Sequence, residues 1–292
     1  MSQGSTTQVK KVLWIILFAN LIVAVTKIII GSIIQSSSMT ADGFHSLTDG
    51  VSNIIGLIGI GLASKPVDKN HPYGHKKYEF LTSLFIGGML LVIVAKIVLE
   101  AIERIVDPII PQFGAETIAA LIATLVVNFV VCVYENRQGK RLNSFILISD
   151  SLHTKSDIYV SLGVLLTLIG IKLGAPPIID PIMSIIVGGF IIRAAVDIIK
   201  STSEVLVDKA SVDLASIQAV AKSFAQVADV HEIRSRGSDT DVYVDMHIII
   251  DPTMNIEEAH GLVHEIEEKL KSEINPHIQV MVHTEPLGKQ SE

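Results

Sequence analysis

Six stretches of the chain are apolar for long enough to cross a bilayer: 12–34, 39–63, 79–102, 115–135, 144–171 and 178–200. About 20 mostly apolar residues bridge the roughly 30 Å of hydrocarbon in a membrane. Lipid offers no water to backbone N–H and C=O groups, so only helices and closed barrels cross it. The fourth stretch is the cleanest, with no charge between Thr117 and Tyr134. The first is too long for a cleaved signal peptide, and no small-residue cleavage site closes it. Composition agrees, with 49% hydrophobic and 18% charged residues against roughly a quarter charged in soluble domains. These features predict a membrane α-helical fold with six transmembrane helices.

Basic residues set the orientation, because Lys and Arg collect on the cytoplasmic side. Lys10 and Lys11 precede the first span, and Lys65, Lys69, Lys76 and Lys77 separate the second from the third. Arg137, Lys140 and Arg141 separate the fourth from the fifth, while Lys200 and Lys209 follow the sixth. The other three connections hold only Arg104 and Lys172. Both termini are therefore expected in the cytoplasm. The absence of a targeting peptide fits a prokaryotic inner membrane.

From residue 210 the pattern changes. An amphipathic helix is expected over 211–225, strands over 230–236 and 242–250, a helix over 256–274 and a strand over 278–283. This is an α+β unit with its helices on one sheet face. The expected division is residues 1–209 for a transmembrane domain and 210–292 for a cytoplasmic one. A net charge of −7 argues against nucleic acid as a partner. The single cysteine, Cys132, removes any disulfide or cysteine-based zinc site.

Ionisable residues inside a span are costly, and their default reading is functional. Asp42, His45 and Asp49 on the second span repeat as Asp150, His153 and Asp157 on the fifth, both as D-x-x-H-x-x-x-D. That spacing keeps each set on one helix face. The two spans run antiparallel, so His45 and Asp157 fall roughly 10 Å from the outer surface, and Asp49 and His153 roughly 15 Å. Two imidazoles and two carboxylates then converge as a tetrahedral set suited to Zn²⁺ and acceptable to Co²⁺ or Fe²⁺. Imidazoles titrate near neutral pH and metal competes with protons for their nitrogens. Such a site releases metal as it takes up protons, which is antiport. The competing reading is a buried polar network that merely ties two helices together. Asp42 and Asp150 divide between bonding the ligands from behind, lining the ion path and capping a helix at the interface, against the alternative of no direct ligand role.

Asp68, His71 and His75, with Glu79 close by, form a second candidate cluster in the loop between spans two and three. Its alternative is a solvated polar loop. The terminal unit carries His231, His247, His260, His264, His277 and His283, of which His264 and His277 are the expected bystanders.

Taken together, these motifs resemble the cation diffusion facilitator family over nearly the whole chain. His45, Asp49, His153 and Asp157 are similar to the family's transport site, and Asp68, His71 and His75 to a loop site of bacterial members. His231, His247, His260, His283 and Glu285 resemble a cytoplasmic binuclear site, with Glu285 where an aspartate is common. The resemblance implies a ferredoxin-like cytoplasmic domain that senses metal and makes a homodimer. It also implies a zinc preference, with cadmium less favoured. An interhelical charge pair near the cytoplasmic face would fall to Lys77 and Asp208.

The resulting expectation is a proton-coupled antiporter, not an enzyme, that exports divalent cations from the cytoplasm: Zn²⁺ first, then Fe²⁺, Co²⁺ or Cd²⁺. Zn²⁺ would be both cargo and regulatory ion, protons the counter-ion and the lipid bilayer the surroundings. Rivals are a divalent-cation channel, which favours rings of charge, and a metal-sensing receptor without flux. An intramembrane metalloprotease needs H-E-x-x-H on a span, and His264-Glu265 lacks the second histidine.

Overall fold

The computed structural model describes residues 3–33, 37–106, 115–176 and 178–288, without the side chains of residues 3–5, 30–33, 37–49, 115–117, 171–172 and a few single positions. Two compact units emerge, Met1–Thr202 and Ser203–Glu292.

The first unit is built from long helices: α1 (Gln3–Ile33), α2 (Ser37–Ala63), α3 (Lys77–Val106), α4 (Ala115–Leu142), α5 (Phe145–Lys172) and α6 (Ile179–Leu206). Among the described residues, each expected apolar stretch falls within one of them, to within a residue at its ends. Four segments, Thr6–Thr26, Lys77–Val106, Ile118–Leu142 and Pro181–Leu206, are apolar and long enough to cross a membrane. Among the described residues, α2 adds only a shorter apolar segment, Gly50–Ala63. On α5 the polar run from Ser149 to Asp157 interrupts the apolar sequence.

Packing in this unit is inverted relative to a soluble protein. Trp14, Phe18, Phe85, Val92, Phe129 and Phe190 are exposed, whereas Asn53, Glu135, Asp150 and His153 are buried. Apolar side chains outward and polar ones inward is the arrangement lipid demands. The helix α5 lies at the centre. Its Ile146 and Leu147 pack with Leu13 and Ile16 of α1, Ile60 of α2 and Val131 of α4. Further along, Leu152, Tyr159 and Val160 pack on Leu90 and Val94 of α3 and Val187 and Ile191 of α6.

Glycine permits the closest crossings. A Cβ at Gly59 would collide with Oγ1 of Thr82, and one at Gly139 would lie 2.9 Å from Cγ1 of Ile148. So α2 meets α3, and α4 meets α5, across a missing side chain. The α4–α5 turn uses Asn143 at φ 48°, a left-handed conformation asparagine tolerates.

In the second unit the order is α7 (Leu214–Lys222), β1 (Val227–Ser238), β2 (Asp241–Ile250), α8 (Ile256–Glu273) and β3 (Ile278–Pro286). The expected α-β-β-α-β order is the one found. The sheet order is β1-β2-β3, with β1 antiparallel and β3 parallel to β2. Asp213 caps α7, and Asn255 with Glu258 forms a capping box on α8. Val242, Val244, Met246, Ile248 and Ile250 of β2 face α7 and α8 in one core with Ile217, Leu262, Ile266 and Leu270. Alternation then turns Tyr243, Asp245 and His247 to the opposite sheet face.

Candidate metal sites

The sequence places three sets of metal-type ligands, and the structure treats each differently. On α5, His153 is only 3% exposed, and neither ring nitrogen has a hydrogen-bond partner among the described residues. Leaving buried polar groups unpaired is costly. The imidazole lines a small cavity with Asn20 and Val23 of α1, Ser52 of α2, Asn128 of α4, and Thr154 and Asp157 of α5. About 20 Å³ is open to the centre of a water-sized sphere, enough for one water or one ion. His45 and Asp49 are positions on α2 whose side chains lie outside the described residues, as does that of Asp42.

The chain's fold holds α5 by its N-terminus. Ser144 accepts from the N–H of Leu147 at 3.5 Å and donates its hydroxyl to Oε1 of Glu79 at 2.7 Å. The same Glu79 carboxyl takes hydrogen bonds from the N–H groups of Phe145 and Ile146. Glu79 was a possible fourth member of the loop cluster. It is turned instead to the α5 N-terminus, where orphan N–H groups and the helix dipole favour a carboxylate.

The loop between α2 and α3 gathers Asp68, His71 and His75, whose ligand atoms lie within 4.8 Å of one another. Oδ1 of Asp68 accepts from the backbone N–H of Asn70 at 2.9 Å and of His71 at 2.7 Å, the turn aspartate favours. Nδ1 of His71 is 3.2 Å from Oδ1, and Nε2 of His75 is 3.4 Å from Oδ2. The His71 N–H, ahead of other bonds, holds the Asp68 carboxyl below its ordinary value. Gly74 at φ 84° lets the loop reverse so that His75 is buried.

On the second unit, strand register aligns a row of imidazoles. His231 on β1 pairs with His247 on β2, and His247 pairs with His283 on β3. Glu285 lies two residues beyond His283 on the same face. Its carboxylate meets Nδ1 of His247 at 2.8 Å and Nε2 of His231 at 3.5 Å. His231, His247 and Glu285 bring one ligand atom each within 4.8 Å, two nitrogens and one oxygen. That donor set fits Zn²⁺, Co²⁺ or Fe²⁺. The His283 ring stacks on His247 at 4.7 Å. His260 is engaged elsewhere: its Nε2 lies 3.1 Å from Nε2 of His264 on α8. His277 is exposed.

Sequence reasoning missed Asn20, Ser52, Asn128 and Thr154 as cavity walls. Asn20 and Asn128 are lone amides among apolar residues, and that isolation was the available signal, whereas Ser52 and Thr154 lie among other polar residues and do not stand out. It also missed the bulge between His231 and Arg234, with Glu232 at φ 49°, which no residue pattern announces.

Comparison with known proteins gives two family matches. The cation efflux transmembrane domain matches residues 13–207, and the cation efflux protein cytoplasmic domain matches residues 210–287. The manganese efflux system protein MneP of Bacillus subtilis is 33% identical over 291 residues, covering 96% of this chain and 97% of its own. The manganese efflux system protein MneS of the same organism is 31% identical over 277 residues, 93% of each chain. The uncharacterized transporter MJ0449 of Methanocaldococcus jannaschii is 33% identical over 271 residues, 91% of this chain and 94% of its own.

Proposed function

The chain belongs to the cation efflux family of divalent metal transporters, and from that premise we propose that it exports Zn²⁺ from the cytoplasm in exchange for protons. Residues 1–209 form the transport domain, with all six helices crossing the inner membrane and both termini in the cytoplasm. Residues 210–292 form a ferredoxin-like domain that binds metal and joins two subunits. The reaction is movement of an ion, with no bond made or broken.

The observation that carries this reading is the buried, unpartnered imidazole of His153 on a polar cavity it shares with Asp157. Ser52 lines the same cavity, and positions 45 and 49 precede it by seven and three residues on one face of a helix. His45, Asp49, His153 and Asp157 then supply two nitrogens and two oxygens. Protons arriving on the imidazoles and carboxylates displace the metal, so an inward proton gradient drives export. Asp68, His71 and His75 bind metal at the cytoplasmic entrance. His231, His247 and Glu285, with His260 and His283 recruited, bind regulatory metal, which biases transport by binding one conformation better.

A second cargo, Mn²⁺, is favoured by the manganese efflux systems among the relatives. The test is metal uptake into proteoliposomes under an imposed pH gradient. Zinc flux should follow the gradient, and Asp157→Ala should abolish it. Flux through the variant at the normal rate overturns the site, and flux indifferent to the gradient overturns the coupling.

A further inference from the structure

Part of the cavity wall comes from outside the two helices that carry the proposed ligands. Asn20 and Val23 of α1, about one helical turn apart, both line it beside His153 and Asp157. The Asn20 amide also begins a chain of hydrogen bonds across three helices. Nδ2 of Asn20 donates to Oδ1 of Asn53 on α2 at 3.0 Å, and Nδ2 of Asn53 donates to Oδ2 of Asp150 on α5. An amide carries its hydrogens on one arm and its acceptor on the other, so each link fixes the next. Asn53 is 2% exposed and has both arms occupied. Turning it over would set its oxygen against the Asp150 oxygen and its hydrogens against those of Asn20. That would leave buried polar groups unpaired, which is costly.

With the nitrogen of Asn20 taken up by Asn53, the carbonyl oxygen Oδ1 is the arm left for the cavity. We propose that this oxygen is a cargo ligand supplied by α1, held in place through Asn53 by Asp150, and that it sets how well the site accepts a hard divalent ion. Carbonyl and carboxylate oxygens suit Mn²⁺, whereas imidazole nitrogens suit Zn²⁺. Asn20 is then a binding residue, and Asn53 and Asp150 are positioning residues. A reversed Asn20 amide would turn N–H groups toward the cavity and repel a cation.

This inference rests on the reading of the cavity as the cargo site, and its test separates the two. Zinc and manganese uptake are measured in proteoliposomes holding the full chain under one pH gradient. Asn20→Leu, close to asparagine in size, removes the oxygen and should lower the manganese-to-zinc flux ratio about fivefold. Asn53→Leu keeps the oxygen but frees the amide to turn, and should lower the ratio in the same direction by less. Loosened packing alone would slow both metals alike and leave the ratio where it was. The melting shifts induced by each metal give the same comparison without flux, and Asn20→Ala, which adds no bulk, takes the place of an Asn20→Leu that does not fold. A ratio unchanged or raised by loss of the oxygen, while Asp157→Ala abolishes zinc flux, overturns the role of Asn20 alone. So does a wild type that neither carries nor binds manganese. Normal zinc flux through Asp157→Ala overturns the cavity as the cargo site, and this inference with it.

Discussion

His247 contacts Glu285 on one side and stacks on His283 on the other, so its loss has different costs with and without metal. Without metal, His247→Ala removes one hydrogen bond to a carboxylate, worth about 1–2 kcal/mol. With zinc at a hundredfold over its dissociation constant, the wild type gains about 2.7 kcal/mol, and the variant should lose most of that gain. Calorimetric melting with and without zinc checks this, and equal zinc-induced shifts in both proteins would remove the site. Asp213 makes a simpler case. The Ser216 hydroxyl first, then the N–H groups of Ser216 and Ala215, hold its carboxyl below the ordinary value. A folded-state value below the unfolded one stabilises above the ordinary carboxylate range near pH 4 and is lost as pH falls through the folded value. Asp213→Asn keeps an acceptor that does not titrate. Its acid unfolding, followed by far-UV circular dichroism, should therefore show a shallower limb than the wild type. This cap was not read in the sequence, where a helix over 211–225 puts Asp213 inside the helix and not at its start. Nor was the partner of Glu79, because Ser144 is 65 residues away and only the packing of α3 on α5 joins them.

Whole elements were legible where period and composition agreed. The terminal unit's five segments follow their apolar periods closely, since each strand and helix buries one face in a common core. Helix ends in the first unit were less legible. The fourth apolar stretch stops at residue 135, but α4 runs to Leu142, because hydropathy marks where apolar sequence ends and not where hydrogen bonding does. The close approach of α4 to α5 was also hidden, since a glycine in sequence does not say what faces it. Its consequence is measurable. Gly139→Ala puts a Cβ 3.1 Å from the backbone N of Ile148, which cannot swing aside, so overpacking should cost about 1–3 kcal/mol. Gly88→Ala meets nothing within 4 Å and should stabilise α3 by roughly 0.5–1 kcal/mol. Thermal melts of the two variants in one lipid should move in opposite directions, and a Gly139→Ala protein as stable as the wild type would contradict the crossing.

At the scale of the whole molecule, selectivity follows from which donors the inverted polar interior offers. The proposed set has two imidazoles and two carboxylates, while Mn²⁺ prefers more oxygen and binds N/O sites more weakly than Zn²⁺. Kinship with manganese exporters and a donor set that is half nitrogen therefore point to different cargoes, and the cavity residues are where they can be separated. Among the described residues the cavity's other polar walls are Asn20, Ser52, Asn128 and Thr154 beside the acid Asp157, with Val23 the one apolar wall, so oxygen donors for a harder ion are already close. Replacing His153 with Asp exchanges one nitrogen for one oxygen without changing the number of groups on the cavity. His153→Asp should raise the manganese-to-zinc flux ratio by about tenfold, the equivalent of about 1.4 kcal/mol of differential binding. Proteoliposomes given each metal under one pH gradient measure that ratio. A ratio unmoved by the exchange means that His153 does not touch the cargo, and selectivity must then be set by residues elsewhere on the path.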